Sequence, residues 1–138
     1  MKTQMRSYQQ AEVMSSTPEQ VVPLFYRELL KSLRMGQRHL EAKNIEGKAE
    51  HLGTARALLL ELLGALSMEQ GGELSARLAS LYSYFLHEID EASRVLDARR
   101  LTPVIDMVAQ LEEAWSQAAI QLTSTEAPPV SDAGGRAV

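Results

Sequence analysis

The chain contains no cysteine. Disulfides, a thiolate nucleophile and a cysteine-ligated metal are therefore excluded, and the absence fits a reducing compartment. Aromatic residues make up only 5% of the 138 residues, although 45% are apolar. A core must then be built mainly from leucine, alanine and valine, as in helical bundles rather than sandwiches or barrels. The formal net charge is −4, and no basic run is longer than Arg99-Arg100. This disfavours nucleic acid as a partner, because neutralising many phosphates takes a basic excess. No apolar stretch approaches the roughly 18 residues of a membrane span. Met1 to Ser7 lacks the apolar segment of a secretory signal. The expectation is a cytoplasmic protein, not membrane-embedded, of one domain.

What is present is helical periodicity. Residues 1–16 carry scattered apolar side chains (Met5, Tyr8, Val13, Met14) without a sustained period, which predicts a mobile N-terminal arm. Thr17-Pro18-Glu19-Gln20 opens a first helix as cap, first helical residue and capping-box partner. Val22, Phe25, Leu29, Leu33, Gly36 and Leu40 then recur at steps of three and four. Pro23 predicts a bend in the first two turns or a helix that settles only after it. Asn44 to Gly47 reads as a corner. A second helix is predicted from Lys48 to Ser67, with a seam of Leu52, Ala55, Leu59, Leu62 and Leu66. Gly71-Gly72 reads as the next break. The third helix is predicted from Glu73 to Leu96, with Leu74, Leu78, Leu81, Phe85, Ile89, Ala92 and Leu96 facing inward. After a corner at Arg99 to Leu101, Thr102-Pro103 restarts the chain. Val104, Val108, Leu111, Trp115, Ala118 and Leu122 form the fourth seam. Residues 123–138 turn to Thr, Ser, Pro, Ala and Gly and read as a disordered tail. The predicted fold is all-α: an antiparallel up-down four-helix bundle over residues 17–122, between the mobile arm and the tail.

A search for catalytic chemistry finds little. His39, His51 and His87 form no His-Glu-x-x-His, and no glutamate lies three residues before any of them, so a di-iron bundle site is unsupported. Gly71-Gly72 lacks the lysine and spacing of a phosphate loop. No cofactor is expected. The first helix carries a basic stripe of Arg27, Lys31, Arg34 and Arg38. It reads as a solvated outer face or as a docking face for an acidic partner. The second helix has more apolar residues than one seam needs, with Leu60 and Leu63 outside it, and the third helix offers a second row at Tyr82, Leu86 and Ile89. Two readings are open. The rows are the edges of a wide core stripe, or they line an exposed groove that receives apolar side chains of a partner.

Several segments together resemble the FliS family of flagellar secretion chaperones. Tyr8-Gln9-Gln10, Val13 and Ser16-Thr17-Pro18-Glu19-Gln20-Val21-Val22 are similar to the family's N-terminal tyrosine and Ser-Pro-x-x-Leu-Ile entry. Leu24-Phe25-Tyr26-Arg27-Glu28-Leu29-Leu30 is similar to its Met-Leu-Tyr-x-Gly-x-Leu helix. Glu69-Gln70-Gly71-Gly72-Glu73-Leu74, followed by Leu81-Tyr82-Ser83-Tyr84, is similar to Glu-Lys-Gly-Gly-Glu-Leu and Leu-Tyr-x-Tyr. Glu113-Ala114-Trp115 matches the family's Glu-Ala-Trp. Pro23, Glu28 and Ser67 depart from the usual residues.

The resemblance implies a non-enzymatic export chaperone. It would bind the C-terminal segment of flagellin, prevent premature polymerisation and deliver the client to the type III export gate. The export-gate platform protein and the anti-sigma factor are further implied partners, and the free protein is a candidate homodimer. The implied contact residues are Leu60, Leu63, Tyr82, Leu86 and Ile89 as groove, with Tyr8 and Val13 on the arm as its cover. The competing reading is a generic bundle: an adaptor, or a metal- or cofactor-binding protein.

Overall fold

The computed structural model describes residues 18–66 and 68–126. They form α1 (Pro18–Glu41), α2 (Ile45–Gly64), α3 (Met68–Val95), a single 3-10 turn (Ala98–Arg100) and α4 (Leu101–Glu126), with no strand among the described residues. The expected all-α four-helix architecture is found. The arm at residues 1–16, including Tyr8 and Val13, lies outside the described residues, as does the tail from 127 onward.

Cross-links between side chains fix the directions. Arg27 of α1 approaches Glu112 of α4 at 3.8 Å. Further along α1, Gln37 donates to the Ala98 carbonyl at 2.9 Å and bonds the Thr102 hydroxyl at 3.0 Å. The partner number falls as the α1 number rises, so α1 and α4 are antiparallel. α1 packs most extensively against α2 and α4, while α3 rests mainly on α2.

Pro18 starts α1, where an amide N–H would have no intrahelical partner. α1 runs as one helix through Pro23, so it does not settle only after that residue. Pro23 stands only one and a half turns in, so the missing bond falls where few others depend on it. Its ring is buried.

The end of α1 is a Schellman motif. Asn44 N–H donates to the His39 carbonyl at 2.8 Å and Lys43 N–H to the Leu40 carbonyl at 3.1 Å, with Lys43 at φ 61°. Asn44 then caps α2 by accepting from Gly47 N–H at 3.2 Å. The first corner is therefore Ala42 to Asn44, and Ile45 to Gly47 already belong to α2. Gly47 is needed there because a Cβ would strike the His39 ring.

α3 closes in the same way as α1. Asp97 N–H donates to the Ala92 carbonyl at 3.0 Å, with Leu96 at φ 56°. Leu96 was expected to face inward but is 56% exposed, because it sits past the helix end in the left-handed position that glycine occupies at least cost. Leu96→Gly is expected to raise unfolding stability by about 1 kcal/mol in urea titrations, the strain of a side chain in that conformation. A fall in stability would contradict it. Asp97 also caps the 3-10 turn by accepting from Arg99 N–H at 3.0 Å. α4 begins at Leu101, so Thr102 and Pro103 lie inside its first turn rather than opening it.

The second corner also differs from expectation. α2 ends at Gly64, three residues before Ser67, with Ala65 N–H bonded to the Glu61 and Leu62 carbonyls. Gly72 does break the chain, at φ 54° and ψ −127°, a conformation essentially limited to glycine. A helical turn precedes it from Met68, so the break lies within α3.

The core contains the central residues of each predicted seam: Leu29, Leu33 and Leu40; Leu52, Ala55, Leu59 and Leu62; Phe85, Ile89 and Ala92; Val104 and Val108. It also takes Tyr26, Leu30, Leu58, Tyr82, Leu101 and Ile105. Val22, Phe25, Leu66, Leu78, Leu81, Leu111 and Trp115 are only partly buried against it. Leu74 and Ala118, expected inside, are exposed. Leu74 follows the Gly72 break, and α3 packs little against α4. α4 continues to Glu126, four residues past the expected end at Leu122.

Candidate functional site

Two cross-links set α2 against α3. Arg56 Nε donates to Asp90 Oδ1 at 3.2 Å. Lys48 Nζ donates to the Ser93 hydroxyl at 3.0 Å. They fix the antiparallel register, and the side chains of the candidate groove follow from it. Leu60 lies one turn beyond Arg56 on α2 and Leu63 nearly two turns beyond. Leu86 lies one turn before Asp90 on α3. Register therefore brings Leu60, Leu63 and Leu86 to one flank of the α2–α3 pair.

At 100° per residue, Leu63 points about 60° from the centre of the α2 seam and Leu60 about 120° from it. Their exposures follow that order. Leu63 is half-buried against the core, as is Leu86, while Leu60 is 46% exposed. Beside Leu60 an open concavity is lined by Ala57, Leu60, Glu61, Gly64 and Ala65. These positions repeat at three, four and seven along α2, on the side facing away from the core. Small side chains at Ala57, Gly64 and Ala65 make the hollow, and Glu61 is its one charge. The sequence displayed these residues as surplus apolar character. It did not show that their small size shapes a concavity.

Tyr82 and Ile89 are placed differently from expectation. Tyr82 is 2% exposed and Ile89 1%, so both belong to the core and neither lines an open groove in this conformation. On the α3 wheel both fall within about 60° of the core direction, and only Leu86, at about 100°, reaches the flank. The Tyr82 hydroxyl is satisfied internally by a hydrogen bond to the Tyr26 hydroxyl of α1. This bond joins the diagonal helices of the bundle. Burial pushes the Tyr26 phenol well above the ordinary range, and its bond to Tyr82 adds to the shift. Burial likewise raises Tyr82, opposed in part by the bond to Tyr26.

A phenol whose pKa is higher folded than unfolded holds its proton better in the native state. Its stabilising contribution is complete below the unfolded value of 10.0 and is lost as pH rises above it. Urea titrations at pH 9, 10 and 11 (about one-unit steps across the phenol range) are expected to show stability falling only above the second. The double variant Tyr26→Phe/Tyr82→Phe should lose that fall.

Elsewhere, His39 and His51 stack with ring centroids 5.1 Å apart at the α1–α2 corner. Among the described residues no three His, Cys, Asp or Glu side chains gather as metal ligands. No described helix is long and apolar enough to cross a membrane.

An all-α bundle whose open feature is an apolar flank along two helices has the makings of a protein-binding module. Comparison with known proteins supplies the family. Residues 1–122 match the family described as Flagellar protein FliS. The chain is 28% identical to the flagellar secretion chaperone FliS of Vibrio cholerae, over 85% of this chain and 89% of that protein. It is 30% identical to the FliS of Bacillus subtilis, over 81% and 83%, and 29% identical to FliSB of Pseudomonas aeruginosa, over 80% and 91%. The chain belongs to the FliS family of flagellar secretion chaperones.

Proposed function

We propose that this protein is a cytoplasmic export chaperone that holds the C-terminal segment of flagellin in an unassembled form and passes it to the flagellar type III export gate. Its means is apolar contact rather than chemistry. A disordered segment loses chain entropy when it docks, and a long apolar surface offsets that loss. The observation that carries the reading is the α2–α3 flank, where Leu60 stands 46% exposed beside half-buried Leu63 and Leu86. Membership of the family of flagellar secretion chaperones supports a flagellar export client. Tyr8 and Val13 on the N-terminal arm are proposed as a cover for the flank in the free protein. The export-gate platform protein and the anti-sigma factor are proposed as further partners.

Calorimetry with an isolated flagellin C-terminal peptide, followed by circular dichroism of the mixture, tests the proposal. The expected result is saturable binding with a negative heat-capacity change and a gain of helix beyond the sum of the components. Failure to bind the peptide while binding folded flagellin would make the protein an adaptor and overturn the reading.

A further inference from the structure

Among the described residues, the arginines are paired almost everywhere except on one face. On α2, Arg56 meets Asp90 at 3.2 Å. On α3, Arg77 meets Glu73 at 2.7 Å and Arg94 meets Glu91 at 2.7 Å. At the last corner, Arg99 meets Asp97 at 3.2 Å and Arg100 meets Glu88 at 3.2 Å. On α1 the pattern stops. Arg27 has only a loose contact with Glu112 at 3.8 Å. Lys31, Arg34 and Arg38 form no ion pair among the described residues, and all of these α1 cations are exposed. Their steps of four, three and four place them in one straight row over roughly 16 Å of helix, opposite Leu29, Leu33 and Leu40. The chain as a whole carries −4, so the row is a local reversal of sign on an acidic protein.

We propose that this row is a docking face for an acidic helix of a second protein, separate from the α2–α3 flank. A neighbouring helix with carboxylates at i, i+4, i+7 and i+11 repeats at the same spacing and can meet each cation in turn. The surroundings favour a protein over other polyanions. Glu28 and Glu41 on α1 and Glu112 on α4 border the row, and they repel a continuous phosphate backbone more than a ladder of discrete carboxylates. None of the large exposed apolar residues lies on α1, so this face has no anchor for a lipid surface. Half-buried Leu24 and Met35 form a narrow apolar shoulder along the row. Binding through such exposed charges is modest in strength and strongly salt-dependent.

The test uses the full chain and a fluorescein-labelled, alanine-rich helical peptide with glutamates at i, i+4, i+7 and i+11, followed by anisotropy. The triple variant Lys31→Glu/Arg34→Glu/Arg38→Glu is expected to weaken binding at least ~tenfold. The comparator Arg77→Glu/Arg94→Glu/Arg99→Glu changes the net charge equally and is expected to stay within about twofold, because the interaction is local. Raising salt from about 50 to about 500 mM should abolish the signal. Lys31→Gln/Arg34→Gln/Arg38→Gln gives the same ranking without charge reversal, and thermal melts of each variant confirm folding. Equal loss in both glutamate triples, or no loss in the α1 triple, overturns the proposal. So does a single-stranded oligonucleotide or an anionic phosphatidylserine vesicle that binds more tightly than the peptide through the same residues. Affinity for the flagellin peptide should be unchanged by the α1 triple, so the outcome is independent of the chaperone reading.

Discussion

Tyr26→Phe is expected to lower the unfolding free energy by about 2 kcal/mol, close to the cost of a buried hydroxyl left without a partner. Tyr26 is fully buried and its hydroxyl bonds that of Tyr82. Removing it strands the Tyr82 oxygen in a core of leucine, phenylalanine and isoleucine. Tyr82→Phe strands the Tyr26 oxygen in the same way and is expected to cost a similar amount. The double variant is the informative one. With both hydroxyls gone no polar group is stranded, and the cost should be no larger than that of Tyr26→Phe alone. Urea denaturation of the four proteins closes the cycle. Additive losses would mean that the hydroxyls act separately, and the diagonal brace between α1 and α3 would have to be abandoned.

Leu60→Asp and Leu63→Asp are expected to separate binding from stability. Leu60 is exposed on the outer side of α2, so a carboxylate there remains solvated and the melting temperature should hold. Affinity for a flagellin C-terminal peptide should fall at least ~tenfold, since the charge lies where an apolar side chain of the client would dock. Leu63 packs against the core. Its aspartate variant should lose the same affinity and also about 2 kcal/mol of stability, because part of the new charge is withdrawn from water. If Leu60→Asp binds the peptide as tightly as the natural protein, the client lies elsewhere on the bundle.

Much of this was legible in the sequence, and the failures have physical causes. Period alone placed Leu29, Leu33, Leu59, Phe85 and Val108 in the core, because a stripe at steps of three and four has only one way to be buried. The same arithmetic misplaced Leu74 and Leu96. Both obey the period but lie beside a break, Gly72 and the end of α3, where the helix no longer holds them over the core. The wide-stripe reading kept Tyr82 inside, while the groove reading set it beside Leu86, with which it shares a row. The long Tyr82 side chain reaches across the bundle, and a partner from α1 was needed to satisfy it. That partner lies 56 residues away in sequence, beyond the reach of local pattern. The start of α2 was displaced by three residues, from Lys48 to Ile45, because the capping side chain of Asn44 rather than Gly47 set the boundary. The concavity beside Leu60 depends on side-chain size across neighbouring turns, which a count of apolar positions does not register.

The Gly72 break also uncouples phase. An uninterrupted helix transmits rotation, so one residue added at its start would turn everything downstream by about 100°. A joint that only glycine adopts comfortably stops that transmission. The long segment from Glu73 onward is clocked by Phe85, Ile89 and Ala92 against their neighbours, whatever the preceding linker measures. Evolution can therefore lengthen or shorten the stretch between Gly64 and Gly72, reshaping that end of the molecule, while the interior keeps its alignment.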